Sequence, residues 1–178
     1  MLQQTQAPRV VAFYDRFLER FPDVYTLAAA PPRMVREAWE GLGYYARARN
    51  LHALARHVTR NGNGGRLPAE PNELLELPGV GPYTAHAVAT FAYERRSAPV
   101  DTNVARVVAR AFAPHLNPKR ARDMTRLREL AHAILPRTGK AAWAHNQGLM
   151  ELGALVCTAR VAKCHDCPVR RECLTSRG

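Results

Sequence analysis

The stretch Leu77–Ala85 reads LPGVGPYTA and lies between two segments whose apolar residues have helical spacing. Gly79 and Gly81 flank the single apolar residue Val80, a pattern typical of a tight turn because glycine adopts backbone conformations that other residues avoid. Pro82 and Tyr83 then open the second helix. The first N–H groups of a helix have no acceptor within it, so they can bind a phosphate. This stretch predicts two helices joined either by a plain connector or by a phosphate-binding turn.

Apolar residues recur at three- and four-residue intervals through most of the chain, and no segment alternates with a period of two. We therefore predict an all-α protein of roughly eight to ten short helices. Helical segments include 73–77 and 104–112, a turn or loop covers 61–66, and the chain is non-helical from about Cys157 onward. No stretch approaches the roughly 18 apolar residues of a membrane span, which excludes a transmembrane protein. The polar start MLQQTQ lacks the features of a secretory signal and predicts a cytoplasmic protein.

The charge balance favours a polyanionic partner. The 178 residues include 26 basic and 15 acidic side chains, which gives a net charge of +11 and a pI near 10.3. Of the basic residues 23 are arginine, whose guanidinium matches phosphate geometry better than an ammonium group does. The alternative is a basic surface without a function. In a chain of this charge, the turn at Gly79–Gly81 is similar to a helix-hairpin-helix, an element that grips the DNA backbone without reading sequence.

All four cysteines lie near the end of the chain with the spacing Cys157-x6-Cys164-x2-Cys167-x5-Cys173. Four thiolates within 17 residues can converge on one metal centre without long-range folding. The spacing favours an iron-sulfur cube, although four-cysteine zinc remains an alternative. Disulfides are not expected in an intracellular protein. Nearby cations predict a phosphate-contacting surface or simply offset the charge of the cluster; they are Arg160, Lys163, Arg170, Arg171 and Arg177.

Asp101 directly precedes the predicted helix 104–112, which is a natural N-cap position. An aspartate there accepts hydrogen bonds from first-turn amides and contributes about 1 kcal/mol. The same geometry favours a negative charge, which is also what stabilises a developing sugar cation. The sequence leaves a structural cap and a catalytic carboxylate both open.

Taken in order, the hairpin, the aspartate and the cysteine spacing resemble the helix-hairpin-helix DNA glycosylases that carry a 4Fe-4S cluster. The resemblance covers nearly the whole chain. Within that superfamily four blocks look like the MutY-type adenine DNA glycosylases, which remove adenine mispaired with guanine or 8-oxoguanine. These blocks are MLQQTQ at 1–6, GLGYYARARN at 41–50, VDTNV at 100–104 and ELGALVCT at 151–158.

The resemblance implies a role for each matching residue. Asp101 would stabilise the oxocarbenium-like sugar, and Asn103 would help to orient it. Gln4 and Tyr44 would wedge into the duplex while the adenine is flipped out, and Gln147 would face the adenine. A packing role for Tyr44 stays open. The cluster would be held by Cys157, Cys164, Cys167 and Cys173.

Tyr83 occupies the place where the endonuclease III branch has a lysine that forms a Schiff base. A phenol cannot form an imine, so we expect a monofunctional glycosylase without strong lyase activity. Thymine glycosylases of G·T mispairs also carry tyrosine here, and they remain an alternative, as does a non-catalytic DNA-binding protein with a four-cysteine metal site. The expected partner is double-stranded DNA with A·G or A·8-oxoguanine mispairs, bound by a monomer.

The resemblance also implies an architecture with a helical barrel lobe and a smaller helical lobe that ends in the iron-sulfur loop. The expected division is a truncated N-terminal helix region at 1–17, a lobe with hairpin and aspartate at 18–115, cluster-lobe helices at 116–156, and the cluster loop and tail at 157–178. The family's general-acid glutamate would lie two positions before Met1. We therefore expect impaired catalysis in the chain as given, and no C-terminal domain that recognises 8-oxoguanine.

Overall fold

The computed structural model describes residues 1–3, 5–60 and 64–177. Within these ranges all regular structure is helical, which confirms the all-α prediction. No helix among these residues is long and apolar enough to cross a membrane. The backbone falls into two compact units, one of Met1–Pro68 with Glu76–Val80 and the other of Ala69–Leu75 with Gly81–Gly178. The four-part division expected from the sequence stays a prediction.

The helices are short and follow one another closely along the chain. Their bounds are α1 Ala7–Arg20, α2 Val24–Ala29, α3 Pro32–Ala38, α4 Ala46–Arg60, α5 Pro71–Leu75, α6 Pro82–Tyr93, α7 Thr102–Phe112, α8 Ala121–Ala133, α9 Gly139–Glu151 and α10 Leu174–Arg177. A π-helical turn, Leu152–Val156, continues α9, and a 3₁₀ turn covers Cys164–Asp166.

An aromatic core holds the first unit together. Phe17 on α1 packs edge-on against Trp39, with ring centroids 5.8 Å apart, and also contacts Phe21 at 5.0 Å. Trp39 is 1% exposed and its indole N–H donates to the Gly43 carbonyl at 3.0 Å. Since aromatic side chains bury large apolar areas and pair edge to face, this cluster ties α1 to the segment between α3 and α4.

Helix α7 is the centre of the second unit. Six of its residues are buried, and it packs against α8, α9, the π-helical turn and α10. The surrounding core is aliphatic and includes Val104, Val108, Leu127, Leu135 and Ala142. Because α7 is enclosed in this way, the backbone at its first residue has a fixed position.

Two segments depart from the sequence-based prediction. The predicted helix at 73–77 spans Pro71–Leu75 instead, and Leu77 already belongs to the following turn, where its carbonyl accepts from the Val80 N–H at 3.2 Å. Pro78 explains this, because the residue before a proline is disfavoured in the helical region. The prediction of a wholly non-helical C-terminal segment was also wrong, since it contains the 3₁₀ turn and α10.

Candidate functional site

Asp101 is the N-cap of α7, as the sequence predicted for its structural role. One carboxylate oxygen accepts from the Val104 N–H at 2.7 Å, and the other accepts from Asn103 Nδ2 at 3.0 Å. The side chain is half-buried. Both oxygens are thus oriented by donors, at a helix end whose dipole favours negative charge.

A buried extended segment leads into Asp101 and is anchored from two sides. The carbonyl of Ser97 accepts from Thr90 Oγ1 on α6 at 2.9 Å and from Asn146 Nδ2 on α9 at 2.8 Å. Ser97, Thr90 and Asn146 are all at most 3% exposed. Buried hydrogen bonds of this kind are costly to break, so the entry into α7 is held rigidly.

Two titratable groups on α6 lie in this part of the second unit. Burial, with a further contribution from the Asp101 charge, raises the pKa of the Tyr83 phenol, so the structure brings Tyr83 into the electrostatic range of Asp101. His86 contacts Ser97 Oγ through Nδ1 at 2.6 Å. Burial, and then the charges of His132 and Arg128, lower the pKa of His86, which favours a neutral imidazole.

Arg106 connects the aspartate environment to the start of the cysteine segment. Its guanidinium donates to Asn103 Oδ1 at 2.9 Å, to the Gly153 carbonyl at 2.6 Å and to the Cys157 carbonyl at 2.8 Å. One turn later, Arg110 donates to Cys157 Sγ at 3.3 Å and to the Thr158 carbonyl at 2.8 Å. Asp101, Asn103, Arg106 and Cys157 therefore form one continuous hydrogen-bonded chain.

Gly153 fits closely against Asn103. A Cβ atom at position 153 would lie 2.8 Å from Asn103 Cβ and 3.0 Å from the Asn103 carbonyl oxygen. Gly153 belongs to the π-helical turn, a local widening of a helix that is often found at functional sites. Because a Cβ atom at this position would meet Asn103, close packing accounts for the glycine, and a positive φ is not the reason.

The four cysteines line one cavity of about 310 Å³ in the second unit. All four are free thiols. No three metal-ligating side chains among the described residues converge tightly enough to hold a single ion. Four thiols around one space are a donor set that iron-sulfur clusters and zinc sites both use. The cationic residues on the cavity wall are Arg110, Arg160, Lys163 and Arg170.

The predicted hairpin turn is present between α5 and α6. Gly79 has φ +75°, a conformation that L side chains rarely adopt, and a Cβ there would collide with the side chain of Asn50. Gly81 is the exposed N-cap residue of α6, and its carbonyl accepts from the Ala85 N–H at 2.9 Å. Helix α6 thus begins directly after the turn, with Pro82 as its first residue.

Tyr44 lies in the first unit, on a turn with unusual backbone geometry. Gly41 and Gly43 have φ values of +86° and +78°, and Tyr44 itself has φ +49° although it is not a glycine. Its ring is 63% exposed and lies under the guanidinium of Arg47, 5.4 Å from the centroid. A non-glycine residue in the left-handed region costs about 1–3 kcal/mol, which marks a position held by its surroundings.

The remaining predicted site residues are on other elements. Gln147 is half-buried on α9, a helix that packs against α7. Gln4 lies outside the described residues.

Sequence reasoning missed Arg106, Arg110 and Gly153. The spacing of Asn103, Arg106 and Arg110 along one face of α7 was the available signal for the two arginines.

Comparison with known proteins assigns the chain to a protein family. The sequence profile of the HhH-GPD superfamily base excision DNA repair protein matches residues 1–133. The chain belongs to the HhH-GPD superfamily. This confirms the resemblance to helix-hairpin-helix glycosylases that the hairpin, Asp101 and the cysteine spacing indicated.

Individual relatives agree with this membership. The chain is 44% identical over 169 residues to the adenine DNA glycosylase of Mycobacterium tuberculosis H37Rv, covering 95% of this chain and 55% of the relative. It is 36% identical over 175 residues to that of Buchnera aphidicola, covering 97% and 48%. The HhH-GPD chain thus spans about half the length of these curated relatives. Among solved structures, a thermostable thymine-DNA glycosylase matches with 33% identity and a TM-score of 0.86, covering 99% of this chain and 80% of that one.

Proposed function

We propose that this HhH-GPD protein is a DNA glycosylase that removes adenine mispaired with guanine or 8-oxoguanine and thereby starts base excision repair. The observation that carries the proposal is Asp101, whose carboxylate is aimed by Val104 and Asn103 at the head of a buried helix. The curated relatives named adenine DNA glycosylase support the choice of base.

The reaction hydrolyses the N-glycosidic bond: the bond from C1′ to N9 breaks, the departing adenine takes up a proton, and water adds to C1′ and releases a proton. Positive charge develops on the sugar as the base departs. A carboxylate fixed before the reaction stabilises that charge without reorganisation of the site. Asn103 acts on Asp101 as a positioning residue, because its amide nitrogen holds Oδ2 while its amide oxygen is fixed by Arg106. Tyr83 has no amine to form an imine, which supports a glycosylase without strong lyase activity.

The DNA contacts belong to the same proposal. The turn Gly79–Gly81 and the amides that open α6 bind the phosphate backbone, while exposed Tyr44 wedges into the duplex. The wedge offsets the few kcal/mol that extrusion of a base costs. Gln4 shares this wedging role, and Gln147 faces the adenine.

We further propose that the cysteine-lined cavity holds a 4Fe-4S cluster ligated by Cys157, Cys164, Cys167 and Cys173. The donor set fits, because four free thiols surround one space whose wall is cationic, and a thiolate-bound cluster is anionic. When bound, such a group supplies rigidity and redox capacity to the loop. The chain's own contribution is Arg110, which donates to Cys157 Sγ.

The cluster is testable by composition. Protein purified without oxygen is expected to be brown, with broad visible absorbance and about four iron atoms per chain. Replacing Cys167 by Ser should reduce the iron content and the visible absorbance. A colourless parent protein with one zinc per chain would show that the four-cysteine site is a zinc site instead.

The choice of base is testable with matched duplexes that contain A·8-oxoguanine, A·G, T·G or A·T pairs. Single-turnover incubation over hours, long enough for the impaired catalysis expected from the sequence, should release adenine from the first two and leave the others intact. The strand should break at the product site only after alkali, since Tyr83 offers no Schiff-base chemistry. Strand breaks before alkali would contradict the monofunctional assignment.

The structural match to a thymine-DNA glycosylase makes thymine the second candidate base. Release of thymine from T·G with intact A·8-oxoguanine would select that candidate. Tight binding of all four duplexes without release of any base would instead support a DNA-binding role.

A further inference from the structure

A second cavity, of about 520 Å³, lies within the first unit between α3 and α4. Its buried wall consists of Val35, Ala48 and His52, which are 2%, 2% and 6% exposed. Its outer wall carries Arg33, Arg36, Tyr45 and Arg49, which are exposed. No acidic residue lines this space, so its electrostatic character is cationic.

Two of these arginines have no carboxylate partner in the described part of the chain. Arg33 is paired with Glu37 at 2.9 Å, but no such pair involves Arg36 or Arg49. Arg36 lies over the ring of Tyr45, 5.5 Å from its centroid, which fixes the direction of its guanidinium. Unpaired guanidinium groups that face one cavity are suited to a planar or tetrahedral oxyanion.

His52 forms part of the buried wall of the cavity. It is 6% exposed, it lines the cavity, and its Nε2 has no hydrogen-bond partner among the described residues. A buried polar atom without a partner typically costs about 1–3 kcal/mol. Nε2 is itself closed off from solvent, so His52 contributes to the wall of the cavity and not to the contacts of an anion.

We propose that this cavity is a phosphate-binding site, with Arg36 and Arg49 as the contacting cations and His52 as a polar group in its wall. A phosphate has enough oxygens to accept from two separate guanidinium groups at once. Tyr45 adds aromatic surface to the cavity wall beside the arginines, so the phosphate of a nucleotide is a second probe of the site besides inorganic phosphate.

The phosphate has two possible sources, a free small molecule or the backbone of DNA. The free-phosphate source depends on the cavity alone, whereas the DNA source also rests on the proposed function. The variants Arg36→Ala and Arg49→Ala remove the two cations, and Arg56→Ala is the matched control, since Arg56 is exposed on the same helix and lies outside the cavity.

The first arm titrates the full chain and each variant with inorganic phosphate and with deoxyadenosine monophosphate, followed by calorimetry and phosphorus NMR. Removal of either cation is expected to weaken binding at least about tenfold, and Arg56→Ala less than about twofold. The second arm measures the affinity for an undamaged duplex at several salt concentrations. If a DNA phosphate occupies the cavity, each cavity variant lowers the slope of log affinity against log salt by about 1 relative to Arg56→Ala.

A change in the first arm alone supports a free phosphate ligand, and a change in the salt slope supports a DNA phosphate. Cavity variants that match Arg56→Ala in both arms would overturn the proposal. Base release is measured on the same samples, so failure of the glycosylase proposal is seen separately, because neither arm requires catalysis.

Discussion

Replacing Asp101 by Asn is expected to slow base release by about 10²- to 10³-fold. Two unit charges about 4 Å apart interact by about 4 kcal/mol at an effective dielectric constant of 20, which corresponds to about a thousandfold in rate. Asn103 orients the carboxylate but cannot replace its charge. The loss should appear in the single-turnover rate on an A·8-oxoguanine duplex.

The substitution is expected to leave the fold intact, which makes its effect interpretable. Asparagine is as good an N-cap as aspartate, and its amide oxygen can still accept from the Val104 N–H. The melting temperature of Asp101→Asn should therefore match that of the parent chain within about 2 °C. A large loss of thermal stability would show that the fold itself needs the charge of Asp101 or its contact with Asn103 Nδ2, and the rate loss could then not be assigned to the sugar cation alone.

A binding measurement isolates the charge from every other catalytic group. A duplex with a cationic pyrrolidine in place of the reacting sugar resembles the transition state, and one with a neutral tetrahydrofuran does not. Asp101→Asn is expected to weaken binding of the cationic duplex by about 10²-fold and to leave the neutral one unchanged. Equal effects on both duplexes would contradict the electrostatic role of Asp101.

Replacing Gly153 by Ala is expected to destabilise the protein by about 1–3 kcal/mol, the usual cost of overpacking a tight site. The new Cβ would lie 2.8 Å from Asn103 Cβ and 3.0 Å from the Asn103 carbonyl oxygen, neither of which can swing aside. For a chain of this size the melting temperature should fall by roughly 2–12 °C.

The same substitution should also reduce the rate of base release. Asn103 would have to move, and with it the donor that holds Asp101 Oδ2. Gly148→Ala is the matched control, because Gly148 is exposed on α9 with nothing within 4 Å of an added Cβ. The free energy of unfolding of Gly148→Ala should rise by about 0.5–1 kcal/mol. A Gly153→Ala variant with parental stability and rate would show that the close packing against Asn103 has no consequence.

The local features of the site could be predicted because each depends on neighbouring residues. Asp101 caps a helix for reasons contained in 101–104, and the turn at Gly79–Gly81 follows from two glycines and a proline within five residues. The ends of the helices were harder to predict from the sequence. The helix before the turn ends at Leu75 because of Pro78, and α10 forms in a segment without a clear apolar period.

The cysteine spacing favoured an iron-sulfur cluster and left a zinc ion as the alternative. The gathering of the four thiols around one cavity is a tertiary feature, and the loop that carries them packs against α7 through Arg110 and Thr175. The hydrogen bonds of Arg106 could not be predicted from the sequence for a similar reason. Its partners Gly153 and Cys157 are about 50 residues away along the chain, so only the folded backbone brings their carbonyls to its guanidinium.

The sequence alone therefore determined the all-α class, the hairpin, the capping aspartate, the clustered thiols and the family, because periodicity, turn chemistry and short spacing are local properties. The tertiary structure alone decided the anchoring of Ser97, the hydrogen-bonded chain from Asp101 to Cys157, the contact of Gly153 with Asn103 and the arginine-lined cavity over His52. These features join residues that are distant along the chain, and packing between helices fixes them through forces that depend on distance in space.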